Sequence, residues 1–247
     1  MEIIKKTTSS SHLQYHYSED PNIIEIGVDE VGRGPLFGRV YTSAVILPSN
    51  KNANIDTFLD VDLKPKFEFD FSKIKDSKKF HSKKKITEVA NYIKEHAVAW
   101  SVSYIDESII DEVNILQATQ LSMHKCINEI IQKNNLPLDS TLLLIDGNYF
   151  KPVTLFNKKT NQIQTYNYVC VEGGDNKYAS IAAASILAKV ARDEYIQELC
   201  EQHPNLIENY GIDSNKGYGA KKHLDGIKQH GITIWHRRTF GICKEYV

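Results

Sequence analysis

Long apolar runs are absent from this chain of 247 residues. The longest are far too short to cross a bilayer, so no membrane partner is expected. The first residues carry no apolar stretch of the kind that directs secretion. Cysteine is scarce: Cys126, Cys170, Cys200 and Cys243 are widely scattered, and none forms a CxxC or a Cys/His pair at zinc spacing. That pattern argues against a disulfide scaffold or a zinc module and leads us to expect reduced thiols in a cytoplasmic protein. Internal repeats, low-complexity linkers and signals of a second fold are also missing. An excess of one charge is lacking too, since the formal net charge is only -1. The 41% hydrophobic content is enough for a substantial core, as in one domain with additions.

What the chain does have is concentrated between residues 23 and 38, IIEIGVDEVGRGPLFG. Ile23 to Val28 reads as a buried strand. Two adjacent carboxylates follow, Asp29 and Glu30. Because side chains alternate along a strand, neighbouring acids can share a site only where the strand ends or distorts. Gly32-Arg33-Gly34 comes next, with Pro35. The glycines let a ligand approach the main chain, and Arg33 offers a fixed charge with several donors suited to phosphate. Acids able to hold a metal, bare backbone donors and an arginine together suggest phosphate-ester chemistry. Taken alone, the same residues could be a strand followed by a solvated loop.

Local charge says more than the total. From Lys73 to Lys85 there are seven lysines and one acid, and from Lys216 to Val247 seven Lys/Arg and two acids. Such segments bind phosphate backbones or form solvated faces.

Residues 1–22 are polar and predict a loosely ordered extension. Val40 to Leu47 predicts a second strand, antiparallel to the first. Residues 49–72 read as a surface insertion with short strands around Phe67, Phe69 and Phe71. Ser82 is placed to cap a helix over 83–96, followed by a strand over 97–104 and a short acidic helix over 106–112. Asn114 is placed to cap a long helix to about Lys133, with Leu116, Met123, Ile127 and Ile130 inward. Leu142 to Ile145 is a buried strand ending at Asp146-Gly147. Val153–Phe156 and Ile163–Val171 predict a hairpin. Gly173-Gly174-Asp175 precedes a helix over 178–201 with a small-residue face at Ala179 and Ala183. A turn at 216–219 and a helix over 221–229 follow. This order predicts an α/β layer fold with a mixed central sheet flanked by helices.

Asp29-Glu30, Asp146 and Asp175 share one context, an apolar strand or a glycine turn after one. Strand ends in an open α/β sheet are where distant side chains converge. Acids crowded there repel unless cations lie between them, and hard oxygen ligands favour Mg²⁺ or Mn²⁺. Two such ions about 3.5–4 Å apart can activate a water and stabilise a phosphodiester's leaving oxygen. Singly, Asp146 could open a turn and Asp175 could stabilise a helix start.

DEVGRGPL closely resembles the signature of the ribonuclease HII, or type 2 ribonuclease H, family. DSKK, IDEVNILQAT, LLLIDGN, EGGDNKYASIAAASILAKVARDEY, GYGAKKHL and HRRTF resemble further motifs of that family, in the expected order, over roughly residues 23 to 241. The resemblance implies a ribonuclease H-like fold with a C-terminal helical portion, so that 23–247 would form one catalytic domain. It implies catalytic, metal-binding acids Asp29, Glu30, Asp146 and Asp175 under a two-metal mechanism with Mg²⁺ or Mn²⁺. Asp193 in ARDEY competes for the fourth place, but it lies well inside a helix.

The implied substrates are RNA/DNA hybrids and duplex DNA with embedded ribonucleotides, cut 5′ to the ribonucleotide to leave 3′-hydroxyl and 5′-phosphate ends. Gly32, Arg33 and Gly34 resemble the loop that engages the RNA–DNA junction through the 2′-hydroxyl. Tyr218 resembles the tyrosine that stacks on the adjoining sugar. Lys78, Lys79 and Lys177 would contact phosphates. The stretches 49–72 and 151–172 are longer than in compact bacterial members. Residues 241–247 show no evident clamp-binding motif, and a monomer is expected. The alternatives are a ribonuclease HIII-like nuclease preferring long hybrids, which Arg33 between two glycines argues against, and a non-catalytic hybrid-binding protein, against which the full set of acids argues.

Overall fold

The computed structural model describes residues 13–48, 69–157 and 161–247. Five strands form a sheet in the order β3-β2-β1-β4-β7. These are β1 (Ile24–Val31), β2 (Val40–Ile46), β3 (Ala99–Ile105), β4 (Thr141–Asp146) and β7 (Asn167–Val171). β1, β4 and β7 pair in parallel, while β2 pairs antiparallel with β1 on one side and β3 on the other. A separate two-stranded ribbon pairs β5 (Thr154–Asn157) with β6 (Gln162–Thr165). The fold is therefore the expected α/β layer fold with a mixed sheet.

Alternation along the central strands sends apolar side chains to both faces. Ile24, Ile26 and Val28 pack with Met123, Ile127 and Ile130 of α3 (Ile115–Lys133). Asn114, at φ 67°, caps α3 by accepting from the Gln117 N–H. On the opposite face Val45 packs with α1 (Lys83–His96) and with α4 (Ala179–Gln202). A short helix, α2 (Glu107–Val113), leads into α3. Small residues surround α4 and let it lie close to the sheet: a Cβ added to Gly27 would stand 2.2 Å from the Ser180 carbonyl carbon.

Beyond the sheet, the second half of α4 joins α5 (Asn205–Tyr210), α6 (Ile212–Asn215) and α7 (Lys221–His230). They share a second apolar cluster built on Phe37, Ile196, Leu206, Ile212 and Ile227. α5 and α6 carry no strong periodicity in the sequence; α5 opens at Pro204 and both abut the left-handed Gly211.

Several expectations need correction. β1 continues through Val31 instead of ending at Val28, because β2 goes on pairing with it as far as Val31↔Tyr41. The strand foreseen over 163–171 breaks at Tyr166, whose ring is buried in the core. Its first half stays in the ribbon, and its second half joins the main sheet beside β4. Phe67 lies outside the described residues. Phe69 and Phe71 are in no strand: Phe71 starts a 3-10 turn capped by Asp70, and both rings are buried. The loosely ordered extension also falls partly outside the described residues. From Leu13 on the chain is anchored, with Gln14 bridging to Tyr178 and Tyr15 stacked 4.2 Å from Phe71. Ser82 sits at the helix start without a capping hydrogen bond.

The contact at Gly27 gives a direct test. Because backbone lies on both sides, a methyl group there cannot be absorbed by a rotamer change. Gly27→Ala should destabilise the fold by about 3 kcal/mol or more, read as a lowered urea midpoint at unchanged slope. A midpoint like that of wild type would mean that α4 does not sit this close.

Candidate active site

The three parallel strands bring their carboxyl ends to one edge of the sheet. Asp29 and Glu30 pair with Ser43 and Thr42 of β2, just past the last β1–β4 pair, Val28↔Ile145. Pairing ends on the β4 side alone, which opens room beside two acids that remain in a strand. Asp146 is the last residue of β4. Asp175 lies in a 3-10 turn, Gly174–Asn176, between β7 and α4, entered through the left-handed Gly173.

Asp29 and Asp175 are almost fully buried, at 4% and 2% exposure. Burial, then repulsion from Glu30 and Asp146, raises the Asp29 carboxyl well above its ordinary value. Glu30 is raised by burial and opposed by Arg33. Asp146 is raised by burial and by Asp175. These acids therefore feel one another across a shared, poorly hydrated space.

Each acid also has a local donor. Asp29 Oδ1 accepts from the Glu30 N–H at 2.7 Å, and Asp146 Oδ1 from the Gly174 N–H at 2.6 Å. Arg33 Nη1 reaches Glu30 Oε1 at 3.3 Å. Asp175 accepts from Lys78 Nζ at 3.0 Å and from Asn176. No three His, Cys, Asp or Glu side chains among the described residues close on one point as a ready metal cage. The donor set nonetheless fits a hard divalent ion. It consists only of carboxylates, and their crowding raises three of them in a way that a cation between them would relieve.

Asp193 is placed elsewhere, paired with Lys189 along α4 at 2.9 Å. Lys78, expected to contact phosphate, pairs here with Asp175 while its side chain stays 77% exposed. Its ammonium pKa is raised by that hydrogen bond. Asp76 fixes this lysine by accepting from its backbone N–H at 2.9 Å. Lys79 is exposed beside it, and the exposed Lys177 donates to the Glu172 carbonyl.

The glycine loop and the second basic segment meet in space. A Cβ on Gly34 would stand 3.6 Å from Tyr218 Cε1, and the Tyr218 ring is 47% exposed. Two buried arginines hold this arrangement, and both were missed from sequence. Arg237 donates to the carbonyls of Gly32, Arg33, Pro35 and Gly38 at 2.6–2.9 Å. Arg192 donates to the Phe37 and Arg39 carbonyls and, at 2.9 Å, to that of Lys216. Burial lowers the Arg237 pKa to about 9, with Arg192 adding repulsion. A bare carbonyl leaves no mark in a sequence. The available signal was only that ARDEY and HRRTF each carry an arginine.

The fold is that of the type 2 ribonucleases H. The crystal structure of ribonuclease H2 from Pyrococcus horikoshii OT3 matches it with a TM-score of 0.62 at 21% identity, covering 91% of this chain and 97% of that one. A structure of Bst-RNase HIII in complex with Mn²⁺ matches at 0.61 and 18% identity, covering 91% and 69%. Residues 26–243 match the family model described as Ribonuclease HII. A ribonuclease HII of Desulfotalea psychrophila is 39% identical over 222 residues, 90% of this chain and 82% of that protein. The chain belongs to the ribonuclease HII family and is thereby a ribonuclease H, a hydrolytic endonuclease acting on RNA/DNA hybrids.

The crowded acids have a cost that can be measured. Raised carboxyl pKa values mean that the native state binds more protons than the unfolded chain between the ordinary carboxylate range and the raised values. In chelator, stability should therefore fall as pH rises through that window. Asp29→Asn removes the most deeply buried of the raised charges. It should raise the neutral-pH melting temperature of chelated protein by roughly 2–4 °C per kcal/mol of relieved repulsion, and flatten the pH dependence. Thermal melts at pH 5 and 8 decide; identical curves for the two proteins would show that the acids do not repel.

Proposed function

We propose that the protein cuts the RNA strand of RNA/DNA hybrids and nicks duplex DNA on the 5′ side of single embedded ribonucleotides, leaving 3′-hydroxyl and 5′-phosphate ends. The observation that carries this reading is the placement of the Tyr218 ring beside Gly34, so close that a side chain there would meet it, on the loop reached directly from the strand that bears Asp29 and Glu30. Such a notch suits the junction between a ribonucleotide and its neighbour. The loop backbone and Arg33 would read the 2′-hydroxyl, and the aromatic face would stack on the adjoining sugar.

Asp29, Glu30, Asp146 and Asp175 would hold Mg²⁺ or Mn²⁺. Bound ions would supply Lewis acidity at the scissile phosphodiester and toward water. The chain's own residues prepare this step by burying anionic charge and by keeping each carboxylate oriented through a backbone or side-chain donor. Arg33 and Lys78 carry exposed cationic heads that can leave Glu30 and Asp175 for substrate phosphates. Lys79 and Lys177 extend the basic surface and add affinity without sequence preference. Residues 23–247 work as one catalytic unit in this reading, because the C-terminal Arg237 braces the loop that follows β1.

Two variant sets test the proposal. Asp146→Asn keeps an oxygen for the Gly174 N–H but loses anionic charge, so cleavage should drop by at least about 10²-fold in a folded protein. Near-normal cleavage would remove Asp146 from the site. Tyr218→Ala should lose more rate on a single embedded ribonucleotide than on a continuous RNA strand, which offers many registers. The differential should approach the roughly 1–3 kcal/mol of an aromatic stacking contact, and Tyr218→Phe should retain most activity. Equal losses on the two duplexes would take Tyr218 out of junction recognition.

A further inference from the structure

Behind the Tyr218 turn lie two buried imidazoles that the chemistry above does not use. His223 on α7 and His236 in the segment leading to Arg237 face each other, Nε2 to Nε2, at 3.1 Å. His223 is 0% exposed and His236 1%. Phe37 and Tyr210 pack around both rings, with Phe37 edge-on to His236 at 5.1 Å and Tyr210 tilted against it at 5.2 Å.

The outer nitrogens of the pair fix where its protons lie. His236 Nδ1 is 2.9 Å from the backbone N–H of Thr233, which can only donate, so Nδ1 accepts and the His236 proton is on Nε2. His223 Nδ1 is 2.8 Å from the Tyr218 carbonyl, which can only accept, so that nitrogen carries the His223 proton. The central contact is then His236 Nε2–H donating to His223 Nε2. One proton order satisfies all three contacts, running from Thr233 through both rings to Tyr218. A further proton on either ring would set N–H against N–H. Burial favours the neutral forms as well: His223 is lowered, and His236 is lowered to about 3 with His223 adding repulsion.

We infer that His223 and His236 are positioning residues for substrate discrimination, forming a proton-ordered relay that fixes the backbone of Tyr218 and so the place of its ring against Gly34. The inference rests on the reading of Tyr218 as the junction-stacking residue. The Tyr218 carbonyl accepts from Ala220 at 2.8 Å as well as from His223, and the Tyr218 N–H donates to Asn215. The bond from His223 ties Tyr218 itself to the buried aromatic cluster behind the turn, while the Arg192 bond to the Lys216 carbonyl and the Leu36 N–H bond to the Gly217 carbonyl hold its neighbours. The same cluster continues into Arg237, which braces the other wall of the notch.

Substitutions at His223 separate this role from simple packing. His223→Asn keeps a donor close to the Nδ1 position. His223→Gln puts its amide near the Nε2 position, facing His236, and leaves no donor at the Nδ1 position for the Tyr218 carbonyl. The measurement is the ratio of initial rates on a single-ribonucleotide duplex and a continuous hybrid. His223→Gln should lower that ratio roughly 3- to 10-fold, part of the value of a stacking contact, whereas His223→Asn should stay within about twofold of wild type. In a Tyr218→Ala background, His223→Gln should change the ratio no further. Nitrogen-15 spectra of the wild-type imidazoles should show His223 protonated at Nδ1 and His236 at Nε2.

Equal losses for Asn and Gln, an undiminished Gln effect without the Tyr218 ring, or the opposite tautomers would each overturn the inference. If Tyr218→Ala leaves the ratio unchanged, the stacking reading itself fails and takes this role with it. An altered ratio in Tyr218→Ala together with an unaltered one in His223→Gln sinks only the relay. Should His223→Gln fail to fold, the wild-type tautomers and the Asn variant still decide.

Discussion

The approach of α4 to β1 at Gly27, closer than any side chain would allow, sets the position of everything that matters in this molecule. A helix laid this near the sheet can place residues along its length against successive parts of the site. Its entrance is the turn that carries Asp175. One turn and a half further on, Ser185 partly offsets the upward shift of the Asp29 carboxyl and meets Ser77 of the lysine-bearing turn at 3.0 Å. Arg192 then reaches under the glycine loop to the Lys216 carbonyl, and Ile196 begins the C-terminal cluster. One rigid rod thus sets the spacing between the acidic edge and the notch beside Tyr218, as the proposed reading of a junction held at a fixed distance from these acids requires.

Electrostatics divides the same region into two layers. Above the glycine loop lie carboxylates whose protonation is favoured by burial and mutual repulsion. Beneath it lie two guanidiniums with no carboxylate among their hydrogen-bond acceptors in the described residues, each solvated by main-chain carbonyls. Carbonyl dipoles satisfy the donors of a buried arginine without neutralising it, so the charge still acts on its surroundings. A positive field from below makes the loop a better seat for an anionic backbone than Arg33 alone would provide. Salt bridges at the surface, such as Lys84 with Glu88, contribute little by comparison.

How much could be read from the chain depended on whether the signal was local. Asp29, Glu30 and the Gly-Arg-Gly loop are contiguous, so their chemistry and the family resemblance were visible at once. Asp146 and Asp175 stood out as acids beside glycines after apolar strands. The extent of β1 was not legible, because pairing with β2 decides it and the Asp-Glu pair looks like an end. The break at Tyr166 was hidden for a similar reason: a β-rich run gives no sign that its two halves serve different sheets. The Asp175 partner of Lys78, 97 residues away, was not visible in the sequence, where only the charge showed. Arg192, Arg237, His223 and His236 went unseen because their partners are backbone groups or one another.

The brace on the glycine loop also has a consequence in time. The Gly32 carbonyl and the Arg237 guanidinium are 205 positions apart, and Gly38 and Arg237 are 199 apart. During synthesis, therefore, the loop after β1 emerges long before the residue that shapes it. The sheet edge can gather its acids once α4 has formed, yet the notch that would recognise a junction stays unfinished until the segment carrying Arg237 has been made. A partly made or C-terminally clipped chain would carry the charged edge without the means of choosing what to cut. The order of assembly thus completes the notch beside Tyr218 after the acidic edge.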